Sequence, residues 1–133
     1  MEEVLKFLRD NPTYYLATVD ENGAPQVRPF GTIAEIDGAL YIQTGKVKDC
    51  YKQMAANPKI AICGYDEKSG RWLRISATAV PDDSVETTAK LLDQNAFLKD
   101  KYAPGDGNCV AIRLADATAT FSSFAGENTT VTF

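Results

Sequence analysis

The chain has 133 residues, 44% of them hydrophobic and 24% charged, and its net charge of −4 gives a pI near 4.8. That composition describes one soluble globular domain spanning 1–133, and the acidic balance excludes a general nucleic-acid binder, which needs a broad basic face. No apolar run approaches the roughly 20 residues needed to cross a bilayer, and the chain contains no histidine, which removes Ser-His and Cys-His catalysis and His-ligated zinc.

The N-terminus MEEVLKFLRD is acidic and mixed in polarity, unlike a secretory signal, so a cytoplasmic protein is expected. Glu2–Asn11 reads as a short amphipathic helix with Val4, Leu5 and Leu8 inward, stopped at Asn11-Pro12. Tyr14–Val19 reads as a strand running into the hairpin signal Asp20-Glu21-Asn22-Gly23. Pro25–Ile36 is the expected return strand, ended by Asp37-Gly38, and Ala39–Thr44 a third strand beside it. A helix then follows Thr44, with Val47, Tyr51 and Met54 as its core-facing stripe and Asn57-Pro58 as its end.

Lys59–Tyr65 and Arg71–Val80 read as two further strands joined at Lys68-Ser69-Gly70. Asp83 and Glu86 suggest a capping-box start for a helix with Val85, Ala89 and Leu92 inward. A helical piece at Phe97–Tyr102 leads to the loop APGDGN, and Cys109–Phe121 and Thr129–Phe133 alternate as strands. The fold class is therefore mainly β with some α: an antiparallel barrel of six or seven strands with short peripheral helices. Cys50, Cys63 and Cys109 form no disulfide or metal pattern, and Cys63, inside IAICGY, reads as a buried small hydrophobe.

The most informative stretch is TGKVKDCYKQMAANP. Residues 46–59 carry Lys46, Lys48, Lys52 and Lys59 against Asp49, a net charge of +3, which leaves −7 for the rest of the chain. Cations gathered where a helix begins suit a small anion, because free backbone N–H groups and the helix dipole already favour negative charge. Thr44 either caps that helix or turns its hydroxyl to a phosphate oxygen, and a plain capped helix with a solvated lysine face accounts for the cluster equally well. Arg28, with Phe30 on the same strand face, adds a planar charged fork if the second and third strands are hairpin neighbours. Pro29 and Gly31 mark a bulge or a close approach to the backbone. Trp72 and Arg74 share another strand face and suit either stacking on a flat ring, an inter-subunit contact, or a partly buried tryptophan beneath an arginine. No paired catalytic carboxylates stand out.

Taken in order, YYLATVDENGAPQVRPF, LYIQTGKVKDCYKQMAANPKIAI and RWLRIS resemble the pyridoxamine 5′-phosphate oxidase-like flavoproteins, the FMN-binding split β-barrel family, over nearly the whole chain. The ending DATATFSSFAGE…VTF is similar to that of short stand-alone bacterial members. The resemblance implies a homodimer with FMN at the subunit interface. It implies that Arg28, Pro29 and Phe30 line the phosphate and flavin edge, that Gln43 and Thr44 follow on the next strand, and that Lys46 and Lys48 complete the phosphate site. It also implies that Trp72 and Arg74 reach the flavin from the other subunit. Where many relatives have Ser-x-Lys, this chain has Lys48 and Cys50, and Ala77 stands where glycine is frequent. The C-terminal Arg and His that vitamin B6 oxidation uses are missing. The expected function is an FMN-dependent oxidoreductase of unidentified small-molecule substrate; the alternative is a non-catalytic flavin-binding or sensing module.

Overall fold

The computed structural model describes residues 1–133. Its strands are β1 (Tyr14–Val19), β2 (Pro25–Phe30), β3 (Ala34–Ile36), β4 (Ala39–Gly45), β5 (Lys59–Asp66), β6 (Arg71–Asp82), β7 (Cys109–Ser123) and β8 (Asn128–Thr132). Its helices are α1 (Glu2–Asp10), α2 (Asp49–Ala56) and α3 (Val85–Gln94), followed by a 3-10 turn at Ala96–Asp100. All ladders are antiparallel, in the order β2-β1-β5-β6-β7-β4-β3 with β8 also on β7. The barrel-type β+α architecture expected from hairpin spacing is present, with eight strands rather than six or seven. No helix is long and apolar enough to cross a membrane.

The added strand comes from a break. The chain leaves the ladder after Phe30, and residues 31–33 separate β2 from β3, so Pro25–Ile36 is not one strand. Pro29 is tolerated because β2 is an edge that needs no further ladder donor. The consequence corrects the expected hairpin: β2 pairs only with β1, while β4 pairs with β3 and β7. The two ends of the sheet are instead stitched by side chains. The Tyr14 hydroxyl donates to the Thr32 carbonyl at 2.6 Å, and Thr32 Oγ1 accepts the Gln43 N–H at 2.9 Å. Tyr14 is fully buried, and that burial pushes its phenol well above its ordinary pKa.

Inward rows such as Leu16, Ile62, Ile75 and Ala119 build the main core, and α1 closes it with Val4, Leu5, Phe7 and Leu8. Each such burial contributes about 1.5–3 kcal/mol for a large aliphatic or aromatic side chain. Gly64 makes the helix–sheet approach possible: a Cβ there would lie 3.1 Å from Phe7 Cε1. A second, smaller core lies where α3 lays Leu91 and Leu92 against Ile36, Tyr41 and Ala111. The α3 cap is Ser84, whose hydroxyl accepts the Thr87 N–H, rather than Asp83; Val85 is exposed, and Thr88, Leu91 and Leu92 are the buried positions.

No helix covers the other face of strands β2, β1, β5, β6, the second half of β7, and β8. Register aligns Pro29, Tyr15, Cys63, Arg74, Thr120 and Thr130 in one outward row and Val27, Ala17, Ala61, Ser76, Thr118 and Thr132 in the next. A shorter row holds Tyr65, Trp72, Ser122 and Asn128. Arg74 is the only charge in these three rows. Cys63, expected inside, is exposed here, because its strand alternates and only the Ile60–Ile62–Gly64 side faces the core.

Candidate functional site

The basic segment begins with strand rather than helix. Thr44 and Gly45 complete the β4–β7 ladder opposite Val110 and Cys109. The Lys48 N–H bonds the Gly45 carbonyl, and the Lys46 N–H the Asn108 carbonyl, so a turn of residues 45–48 intervenes before α2 starts at Asp49. Lys48 occupies the N-cap position with no side-chain cap, and the N–H groups of Asp49, Cys50 and Tyr51 take no protein acceptor. Thr44 is therefore not the cap. Its side chain is buried, with Oγ1 3.3 Å from Cys50 Sγ in the first turn of α2. Buried Cys50 and Met54 form the inward stripe, whereas Val47 lies in the turn and is 74% exposed.

The two lysines separate in role. Lys46 Nζ sits 2.5 Å from Asp83 Oδ2, a hydrogen bond that raises the lysine pKa and lowers that of the carboxyl. Lys48 has no carboxylate partner among the ion pairs. The turn is fixed from outside by Asn108, whose Oδ1 also accepts the Val47 N–H at 3.3 Å. Asn108 in turn belongs to a loop organised by Asp106, whose carboxylate accepts the N–H groups of Ala103, Asn108 and Cys109 at 3.0, 2.8 and 2.7 Å. Those bonds hold Asp106 below the usual carboxylate range.

Arg28 reaches α2, though not through the expected hairpin. It points to the core side of β2, where Nη1 donates to Thr18 Oγ1 at 2.7 Å and Nη2 to Gln53 Oε1 at 2.9 Å. The Thr18 hydroxyl also donates to Gln53 Oε1, closing a three-residue bracket from β1 and β2 to the middle of α2. Neither Thr18 nor Gln53 was signalled by the sequence; no local pattern marks a bracket made between strands and a helix. Phe30 is half-buried against Tyr14, with ring centroids 6.1 Å apart. Pro29 is exposed on the outward face, and Gln43 is buried, its amide donating to the Thr44 carbonyl at 3.0 Å.

Trp72 and Arg74 lie on the open face, a separate place. Arg74 is exposed beside Cys63 and Thr120. Half-buried Trp72 meets Phe124, 5.2 Å between ring centroids at an interplanar angle of 59°. The arginine stacked on a ring is Arg71 instead, 4.3 Å above Phe121 on the core side. The largest cleft, about 860 Å³ between α1 and the β5–β6 turn, contains none of the expected site residues. A shallower groove of about 410 Å³ crosses the open face between Ala17, Ala61, Ser76 and Thr118. No cluster of His, Cys, Asp or Glu has the makings of a metal site.

The chain is thus an antiparallel split barrel stitched at one seam, with a basic strand-to-helix turn after β4. The family model described as pyridoxamine 5′-phosphate oxidase matches residues 1–121, and the chain belongs to that family. A NimC/NimA family protein from Clostridium acetobutylicum is 35% identical, with a TM-score of 0.91 over 98% of this chain and 93% of that one. A second protein from the same organism, related to general stress protein 26 of Bacillus subtilis, is 16% identical with a TM-score of 0.76 over 99% and 93%. General stress protein 26 from Bacillus anthracis is 20% identical with a TM-score of 0.73 over 98% and 97%; these last two likenesses are of fold. No curated protein matches the sequence.

Proposed function

We propose that the protein is a homodimeric FMN-binding oxidoreductase acting on a small molecule. The observation that carries this reading is the uncapped start of α2 beside the unpaired Lys48, in a chain of an oxidase family. Three N–H groups without protein acceptors and an unpartnered ammonium are donors of the kind a phosphomonoester takes, with the Thr44 hydroxyl buried beneath them against Cys50 Sγ. Arg28 stands behind them as part of the bracket, and Lys46, neutralised by Asp83, contributes less. Phe30 supplies apolar wall on the core side of β2, Pro29 lies on the open face where a partner copy would meet it, and Gln43 holds the β4 backbone. Bound FMN would supply the hydride or electron transfer; the chain's residues anchor its phosphate, orient its ring and shield it from water.

The dimer is supported by the open face. Three outward rows with a single charge make a surface of aliphatic, threonine and aromatic side chains, and such surfaces mark association sites. A two-fold partner covering it would bring Trp72 and Arg74 of the second copy towards the flavin of the first. A non-catalytic flavin-binding role is favoured by one feature, the absence of histidine from the chain.

The visible spectrum of the purified protein and calorimetric titration with FMN test the ligand. Sedimentation tests the dimer. Flavin bands, measurable heat and a species of twice the chain mass are expected. A colourless monomer that takes up no FMN refutes the reading. Reduction by NADPH or NADH with turnover of an added acceptor separates the enzyme from the sensing module.

A further inference from the structure

The most exposed large hydrophobic residue in the chain is Phe124, at 90%, and it is not left loose. It sits in the turn between β7 and β8, which Glu127 ties to the sheet. The Glu127 carboxylate takes both Arg71 Nε and Nη2 at 2.9 Å, and its N–H bonds Ser123 Oγ at 3.3 Å. Arg71 is itself fixed over Phe121. A bidentate pair of this kind is geometrically demanding, so the turn that carries Phe124 is held in place against Trp72.

The result is an aromatic corner on the open face. Tyr65 lies directly opposite Trp72 across the β5–β6 ladder and is half exposed, and Phe124 closes the other side at 5.2 Å. One rung along, about 6.5–7 Å away, stands Arg74, which makes no ion pair within the chain. Aromatic faces beside an unpaired guanidinium select a ligand that is flat at one end and anionic at the other.

We infer that Tyr65, Trp72, Phe124 and Arg74 form a subsite for a planar aromatic carboxylate, with Glu127 and Arg71 as positioning residues for Phe124. The inference deepens the flavin reading and rests on it in one respect, since that reading makes the occupant of this corner the molecule presented to the flavin ring. Trp72 and Phe124 are already in contact with each other, so the ligand ring lies over their solvent-facing sides, and the carboxylate is received by Arg74.

The test uses the full-length protein and three matched probes: 2-naphthoate, its saturated decahydro analogue, and neutral 2-naphthamide. Calorimetry gives each affinity, and the indole N–H resonance of Trp72, the only tryptophan, reports the place of binding. FMN affinity is measured in parallel. Naphthoate should bind tightest and shift the Trp72 resonance. Arg74→Gln should weaken naphthoate roughly tenfold and erase its advantage over the amide. Phe124→Leu should erase the advantage over the saturated acid, a loss of about fivefold. Glu127→Gln should weaken naphthoate while FMN affinity stays as in the parent. Equal binding of all three probes, an unmoved Trp72 resonance, or an Arg74→Gln variant that behaves as the parent overturns the inference. Naphthoate binding that depends on Arg74 in a protein that takes no FMN would leave the subsite standing and remove the flavin.

Discussion

Arg28 and Arg74 leave the same sheet by opposite faces. Arg28 aligns with Leu16, and through it with Ile62 and Ile75, on the core side; Arg74 aligns with Cys63, Tyr15 and Pro29 on the open side. Three strand spacings, roughly 14 Å, also separate their strands. One chain therefore cannot close both arginines on one small ligand. A site that uses both needs two copies, which is the physical basis of the interfacial reading.

Lys48 and Arg28 should respond differently to truncation. Lys48 is exposed and unpaired, so Lys48→Ala should weaken FMN binding by about 1.5–3 kcal/mol and leave stability within about 0.5 kcal/mol of the parent. Arg28→Ala also removes donors to Thr18 and Gln53, and should cost a further 1–3 kcal/mol, roughly, in urea unfolding. Lys46→Ala should do little to either, because its pair with Asp83 is exposed to solvent and screened. Equal effects of the three variants on FMN titration would contradict this division.

Gly45 is the tightest point of the turn into α2. A Cβ there would lie 3.0 Å from Asn108 Oδ1 and 3.1 Å from the Tyr102 hydroxyl. Gly45→Ala should displace Asn108, free the Val47 N–H and lower FMN affinity several-fold more than it lowers the melting temperature would imply. Titration of the variant below its melting point checks this; parental affinity would show that the turn does not depend on Asn108.

How far such relationships could be seen in the sequence depends on their range. The α1 stripe of Val4, Leu5 and Leu8 and the Asp20–Gly23 hairpin are local signals, and both stand in the structure. Pro29 and Gly31 mark an irregularity near the break at residues 31–33, but β-branched Thr32 and Ile33 read as continuing strand, and what the break is for shows only through the distant Tyr14 and Gln43. Cys63 and Val47 were misplaced for a related reason. Apolar character marks a residue for burial only if another element arrives to cover it, and none does here. The N-cap of α2 is Lys48, four residues beyond the expected Thr44, because Thr44 belongs to the β4–β7 ladder, which no local pattern announces. Arg28 was found with the right helix for the wrong reason: the link is Gln53, not strand pairing.

Asp106 gives a pH signature. Its carboxyl pKa is lowered in the folded chain by the three backbone N–H groups, so its contribution is fully present above the ordinary value of 3.8 and fades as pH falls through the lower folded value. The stability difference between the parent and Asp106→Ala should be clear in urea melts at pH 7 and shrink on acidification below about pH 4. Since the group is at the surface, the effect should be modest. A difference that is constant down to pH 2, or that grows, would show that the carboxylate does not organise the loop.

Tyr14→Phe tests the stitch. It removes one hydroxyl from a fully buried position and leaves the Thr32 carbonyl without that donor, so a loss of about 1–3 kcal/mol in chemical denaturation is expected. Stability equal to the parent would mean that water replaces the phenol.

The stitch also decides how the barrel wall is closed. Between β2 and β4 no ladder runs, and two contacts through Thr32 hold the gap. Elsewhere the circumference is kept in registration by backbone pairing, so this one seam depends on the hydroxyls of Tyr14 and Thr32.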